Sequence, residues 1–172
     1  MRIAVSGTHF TGKTTLIEDL LDELSDYEMI EEPYHLLGER EYQFADVPSL
    51  EDFKRQFLLS LQLIKKSGKN VLLDRSPLDF IAYALCIEKA ISFDVNSWLN
   101  LTMEALAKLE LVIFVTVDSC ISIPEFENSK LRFEVDERLR DILIYDCFGL
   151  DLNVVEVTGA RKDRVNTVLR YL

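Results

Sequence analysis

The sequence predicts a single three-layer α/β domain over residues 1–172, a five-stranded parallel sheet with helices on both faces. Three observations lead there. Apolar runs and amphipathic helical segments alternate five times, strand before helix. The third apolar run, Asn70–Asp74 (NVLLD), is continuous rather than alternating, as suits a strand covered on both faces. No repeat, low-complexity tract or Pro/Gly/Ser-rich linker divides the chain.

Each element has a local cause. Ile3–Ser6 is a short apolar strand. Thr14–Leu24 is a helix because Leu16, Ile17, Leu20, Leu21 and Leu24 recur with a helical period. Tyr27–Glu31 is the second strand. Pro33–Glu39 is a short helix with proline in its first turn. Ser49–Lys66 is a longer helix, in which Ser49 and Asp52 approximate a capping box. After Asn70–Asp74 come helices over Pro77–Lys89 and Val95–Lys108. Leu109–Val117 is the fourth strand. A helix lies within Asn128–Phe148 and ends near Gly149. Leu152–Val157 is the fifth strand and Arg161–Leu172 the last helix.

Composition narrows the partners. A net charge of −11 repels a polynucleotide backbone and argues against a nucleic-acid partner, while leaving a small phosphate compound in a local pocket open. No apolar run approaches the ~20 residues that span a bilayer, so no membrane partner is predicted. Met1–Val5 enters the first strand at once, leaving no room for a signal peptide. The three cysteines, Cys86, Cys120 and Cys147, have no metal or redox spacing, and their odd, sparse count points to a reducing, cytoplasmic setting. Cys86 and Cys147 stand in apolar helical surroundings that predict buried thiols. The apolar helix Val95–Lys108 is a candidate homodimer face, with its tryptophan, Trp98, read as core.

The chemistry sits at the strand ends, where open parallel sheets bind ligands. After the first strand, Gly7-Thr8-His9-Phe10-Thr11-Gly12-Lys13-Thr14 matches G-x-x-x-x-G-K-[ST], in the required context between strand and helix. Wrapping a phosphate in successive backbone N–H groups needs glycine at the tight positions, and the helix N-terminus behind adds its dipole. This assigns ATP to the loop Gly7–Thr15, Lys13 to the β and γ phosphates, and the Thr14 hydroxyl to Mg²⁺. After the second strand comes Glu31-Glu32-Pro33, where a carboxylate either takes a proton from an acceptor hydroxyl or is an acid favoured by a helix N-terminus. After the third, Asp74 can hold Mg²⁺ or its waters and Arg75 can stabilise a transferring phosphoryl group; a surface pair capping the helix at Pro77 is the alternative. Arg55, Gln56 and Gln62 could reach an acceptor from the Ser49–Lys66 helix. The polar connection 118–132 is a candidate lid carrying Asn128, Lys130 and Arg132, with Arg132 the best candidate cation and Lys130 and Arg138 behind it. Arg138 and Arg140, interleaved with Glu137 and Asp141, read as a solvated face. Thr158–Arg161 is a purine-side wall with Arg161 stacking on the base, or a plain turn.

Taken together, GTHFTGKTTL, EEP, DRSPLDFIAYA, LRFEVDERL and VTGARKDRV resemble the P-loop nucleoside and nucleotide kinases. The resemblance is nearest to small AAA-type kinase-like ATPases related to the nicotinamide riboside kinase domain of bacterial NAD-synthesis regulators, with thymidylate and deoxyribonucleoside kinases more distant. It implies a P-loop NTPase fold with sheet order 2-3-1-4-5, and transfer of the ATP γ-phosphoryl group to a small nucleoside or nucleotide acceptor. It would make Glu32 the base or acceptor-site carboxylate, Asp74 a Mg²⁺-linked acid, Arg75 a phosphate-stabilising arginine and Arg132 the lid arginine before Val135-Asp136. Three departures stand out. Phe10 occupies a position where many such kinases carry glycine, Ile123–Arg132 is short and poor in basic residues, and Asp79 lies near, not on, the base-reading position of deoxyribonucleoside kinases. Two other classes stay open: a slow ATP-hydrolysing switch without a small acceptor, and a nucleic-acid end kinase. The second needs a basic channel, against a pI near 4.6.

Overall fold

The computed structural model describes residues 1–87, 93–118 and 129–172. In chain order these residues form β1 (Arg2–Ser6), α1 (Lys13–Glu23), β2 (Glu28–Ile30), α2 (Pro33–Glu39), α3 (Leu50–Lys66), β3 (Val71–Asp74), α4 (Pro77–Ile87), α5 (Val95–Leu106), β4 (Leu111–Val115), α6 (Ser129–Leu143), β5 (Val154–Val157) and α7 (Arg161–Leu169). The strands lie in the order β2-β3-β1-β4-β5, and every neighbouring pair is parallel. This is the three-layer α/β fold and the order the resemblance implied.

Side chains alternate between the two faces of the strands, so the sheet feeds two cores. Ile3, Val5, Leu72 and Ile113 pack against Leu16, Ile17 and Leu20 of α1 and Val168 of α7. Val71, Leu73, Val112 and Phe114 meet α3, α4, α5 and α6 on the other side. Helix α3 shows why its sequence is helical: Phe53, Phe57, Leu61 and Ile64 form one inward stripe. Its start is a complete capping box, with the Ser49 hydroxyl accepting from the Asp52 N–H at 3.2 Å and the Asp52 carboxylate accepting from the Ser49 N–H at 3.0 Å. Because all strands run one way, their carboxyl ends gather at a single edge, where the loops after β1, β2 and β3 meet.

Several boundaries are tighter than the sequence predicts. Helix α5 closes at Leu106, because Lys108 and Leu109 donate to carbonyls three residues back, which leaves Leu109 in a turn rather than in β4. At the far end of β4, Val117 leaves the ladder and donates to the Asp136 carboxylate at 2.8 Å. Helix α6 ends well before Gly149. A turn intervenes, in which Asp146 accepts from the backbone of Leu150 and Asp151, and it carries Cys147 out to solvent instead of into a core. Cys86 is half-buried, and burial pushes its thiol up to about 11. Cys120, Asn128, Lys89 and most of the predicted lid lie outside the described residues. Trp98 is core as expected, stacked on Phe57 with ring centroids 4.3 Å apart; Leu101 and Met103 are the exposed apolar residues of its helix.

Phe57 is fully buried against that ring. Phe57→Ala is expected to cost about 3–5 kcal/mol of unfolding free energy, read from the urea midpoint with Trp98 fluorescence as the probe. A loss below about 1 kcal/mol would show that this face of the sheet repacks freely.

Candidate functional site

The loop between β1 and α1 is shaped by close approach. A Cβ on Gly7 would sit 2.4 Å from the Val115 carbonyl oxygen, so only glycine lets the chain pass β4 here. Gly12 caps α1 in the left-handed region at φ 84°. Phe10, at the apex, is also left-handed at φ 54°, which explains glycine's suitability there and leaves the bulkier residue in a sparsely populated conformation. The loop closes on the Thr8 carbonyl, which accepts from the Thr11 hydroxyl at 3.0 Å and from Lys13 Nζ at 2.9 Å. Three arginines clamp it from outside. Arg75 Nη1 donates to the Gly7 carbonyl at 3.0 Å. Arg132 donates to the carbonyls of His9 at 3.2 Å and Phe10 at 3.1 Å. Arg164 donates to the Thr11 carbonyl at 2.7 Å. Thr15 stands on the first turn of α1, at the wall of the cleft that the loop borders.

Strand β3 lies beside β1, in a register that pairs Val5 with Asp74. The Thr14 hydroxyl therefore donates to Asp74 Oδ2 at 2.8 Å. Asp74 Oδ1 is buried and has no hydrogen-bond partner among the described residues. Burial pushes this carboxyl up, against the pull of Lys13 and Arg75. An orphaned carboxylate oxygen beside a threonine hydroxyl is an oxygen-only donor set, and it fits Mg²⁺.

Arg75 follows in the left-handed region at φ 85°, and this turn sends its guanidinium back under the loop. Its Nε meets Glu32 at 2.9 Å, Nη1 lies 3.5 Å from Asp79, and the cation stands over the Tyr83 ring at 5.5 Å. Burial opposes its charge, but Glu32, Tyr83 and Asp79 hold it protonated. Burial pushes Glu32 up, and Arg75 and Lys13 outweigh that, so its carboxyl lies below the usual value and is ionised at neutral pH. Lys13 is lowered to about 8 by burial and by Arg75.

The other predicted residues divide. Gln56 is buried and faces a cavity in front of α4. Arg55 and Gln62 point away from it: Arg55 pairs with Glu51 at 2.7 Å on the exposed side of α3, and Gln62 is exposed. Asp79 does not face an acceptor. It is fully buried and accepts from the backbone of Gly7 and Ser76, both at 2.9 Å, bracing the loop to α4. Arg132 is not a mobile group on a connection; it stands in the first turn of α6, 2% exposed, fastened to the loop apex. Lys130 is exposed and pairs with Glu134 at 3.6 Å. Arg161 reaches the rim of the phosphate cleft, where Asp19 holds it at 2.9 Å. Arg164 and Tyr83 at the loop, and Tyr34, Phe44 and Asp46 at the cavity before α4, escaped sequence reasoning. Arg164 sits one turn before the buried Val168, a spacing that marks the inner face of α7. Tyr83 receives the His9 N–H at 3.0 Å, shares a 2.9 Å hydrogen bond with His9 Nδ1, and so ties α4 to the loop.

Two cavities meet here. One, about 800 Å³, is bordered by Lys13, Thr14, Thr15, Asp118, Gly159 and Arg164. The other, about 490 Å³, is bordered by Phe44, Asp46, Asp52, Phe53, Gln56 and Tyr83. His9, Glu32, Tyr34 and Arg75 line both.

The sheet order and loop define a P-loop protein with the nucleoside and nucleotide kinase-like fold. The chain belongs to the AAA domain family, which it matches over residues 2–164. Among solved structures it is similar to deoxyadenosine kinase from M. mycoides, at 17% identity and TM-score 0.71, covering 99% of this chain and 98% of that one. It is similar to thymidylate kinase from Candida albicans, at 16% identity and TM-score 0.66, covering 99% and 89%. It is also similar to the NadR protein in complex with NAD and AMP-PNP, at 22% identity and TM-score 0.71, covering 99% of this chain and 49% of that longer one. At these identities the likeness establishes the fold. No curated protein matches the chain in sequence. No helix among the described residues is long and apolar enough to cross a membrane.

Two predictions follow from the loop. Gly7→Ala drives a Cβ against the Val115 carbonyl, so ATP binding in a fluorescent-nucleotide titration is expected to fall by about tenfold or more, a loss of about 1.4 kcal/mol. His9 is lowered from its ordinary 6.5 to about 4 by burial and by Arg75, Lys13 and Arg132. Between those values the unfolded chain binds a proton that the folded chain refuses, so this residue's contribution to stability is lost as pH falls. The stability difference between wild type and His9→Gln should therefore shrink from pH 7 to pH 4.5 in denaturant titrations. A constant difference counts against it.

Proposed function

We propose that the chain is an ATP-dependent kinase that transfers the γ-phosphoryl group to a hydroxyl of a small nucleoside-like or nucleotide-like acceptor. The observation that carries this reading is the second cavity. A slow ATPase switch needs only the phosphate cleft. Here an aromatic-lined cavity of about 490 Å³ opens beside it, with Glu32 and Arg75 in the shared wall, a size and lining suited to a small ligand.

In this reading, Gly7–Thr15 and Lys13 hold the triphosphate, while Thr14 and Asp74 hold Mg²⁺, which when bound neutralises charge on the phosphate oxygens. Gln56 and the aromatic residues orient the acceptor. The ionised Glu32 takes the acceptor hydroxyl's proton as the new oxygen–phosphorus bond forms and the bond to the ADP oxygen breaks. Arg75 answers charge on the phosphoryl oxygens. Arg132 and Tyr83 act by holding the loop. Positioning and charge carry the catalysis, since phosphoryl transfer requires little covalent help from protein.

The test is ADP release from Mg-ATP across nucleosides, nucleoside monophosphates, nicotinamide riboside and short oligonucleotides. One acceptor should raise the rate well above basal, and Lys13→Ala should abolish it. Glu32→Gln should keep ATP binding and lower turnover by about 100-fold or more. A slow basal rate that no acceptor changes would transfer the assignment to the switch. A fully active Glu32→Gln would remove Glu32 as the base.

A further inference from the structure

The acceptor cavity has a charge pattern that bears on what can enter it. This step rests on the kinase reading above and sharpens it. Among the described residues that line the cavity, Glu32, Asp46 and Asp52 are acids and Arg75 is the one cation. Burial acts against the charge of Asp52, but Ser49 and Tyr42 donate to its carboxylate and keep it ionised. His9 adds no positive charge at neutral pH, because burial and the cations beside it hold its ring neutral. The wall therefore carries two formal negative charges.

That count already includes Arg75. Its Nε meets Glu32 at 2.9 Å, its Nη1 serves the Gly7 carbonyl at 3.0 Å and lies 3.5 Å from Asp79, and in the kinase reading its remaining charge goes to the transferring phosphoryl group, not to a phosphate on the acceptor. The nearby cations are turned elsewhere. Lys13 borders the phosphate cleft and Arg132 donates to the His9 and Phe10 carbonyls. The sequence of residues 119–128, within the predicted lid, contains no lysine or arginine. An acceptor phosphate would face this wall of carboxylates without a cation dedicated to it, and like charges set side by side repel.

The remaining surface favours a flat ring. Tyr34 stacks on Phe44 with centroids 4.3 Å apart, and Phe53 stacks on Tyr83 at 4.9 Å. All four line the cavity, with the buried Gln56 among them. Aromatic faces and carboxylates together suit a heteroaromatic group that is neutral or positively charged.

We propose that this cavity selects an acceptor that carries no phosphate, a nucleoside with a neutral or cationic base, and that Asp46 and Asp52 exclude the corresponding monophosphate. The chain then makes a monoester from an alcohol and does not extend an existing phosphate chain.

The test is equilibrium binding, which does not depend on turnover. The full chain is saturated with Mg²⁺ and a non-hydrolysable ATP analogue to fill the phosphate cleft. Matched pairs, each a nucleoside and its 5′-monophosphate, are then titrated, with nicotinamide riboside and its monophosphate as the cationic pair. At least one nucleoside is expected to bind, with its monophosphate weaker by about tenfold or more, equivalent to about 1.4 kcal/mol. Asp46→Lys, at an exposed loop position, is expected to narrow that gap by strengthening monophosphate binding. A monophosphate that binds as tightly as its nucleoside, or no binding by either member of any pair, overturns the proposal. A nucleoside that binds in this assay yet never raises ADP release sinks the transfer reaction alone and leaves the charge selection standing.

Discussion

The buried guanidinium of Arg75 is the contact on which the site depends. A cation this far from water is tolerated only when its charge and its donors are met. Glu32 comes from the end of β2, the Gly7 carbonyl from the end of β1, and Asp79 and Tyr83 from α4. These four groups come from three elements, so one side chain fixes three of the connections at the carboxyl edge of the sheet. The left-handed backbone at φ 85° aims it there. Truncating Arg75 would leave Glu32 and Asp79 buried without their counterion, an effect on assembly as much as on chemistry.

The same logic extends around the loop. From Gly7 to Gly12 every carbonyl is engaged: by Arg75 at Gly7, by Thr11 and Lys13 at Thr8, by Arg132 at His9 and Phe10, by Arg164 at Thr11, and by the Leu16 N–H at Gly12. The N–H groups of Gly7 and His9 are engaged as well, by Asp79 and Tyr83, so the loop is braced on both sides of its peptides and the N–H groups left for an anion are those that open α1. The strained Phe10 backbone is held by Arg132, whose two donors take the carbonyls on either side of the Phe10 Cα.

The strands at the site and the loop were legible in the sequence because each rests on local pattern: the spacing of Gly7, Gly12, Lys13 and Thr14, and the apolar runs ending at Ser6 and Asp74; the strand order came from the family resemblance. What escaped depends on helix phase or on long-range return of the chain. Arg55 and Gln56 are adjacent in sequence but about 100° apart around α3, and the inward stripe of Phe53 and Phe57 selects Gln56. Asp79 carries the residue type of a ligand-reading acid, yet four residues after Arg75 it falls inside the first turn of α4 and is consumed by the loop. Arg164 is chemically indistinguishable from its exposed neighbours until α7 crosses back beside α1. The Arg132 position was readable, but its attachment to the loop was not, because α6 must first dock through Val135 and Leu139.

A chain with a net charge of −11 still presents the right sign to a triphosphate because distance and burial govern the field more than the total does. Charges beyond a Debye length of about 8 Å are largely screened by salt, whereas buried neighbours are not. Within the phosphate cleft Lys13, Arg75, Arg161 and Arg164 face two carboxylates, Glu32 and Asp118. Across the shared wall, Arg75 faces three. The sign of the surroundings reverses over the width of one guanidinium. Lys13, lowered to about 8 by burial and by Arg75, gains from an anion what the cluster of cations costs it. The second cavity offers the opposite, carboxylates and aromatic faces, and Glu32 in the shared wall keeps its charge through Arg75 and Lys13.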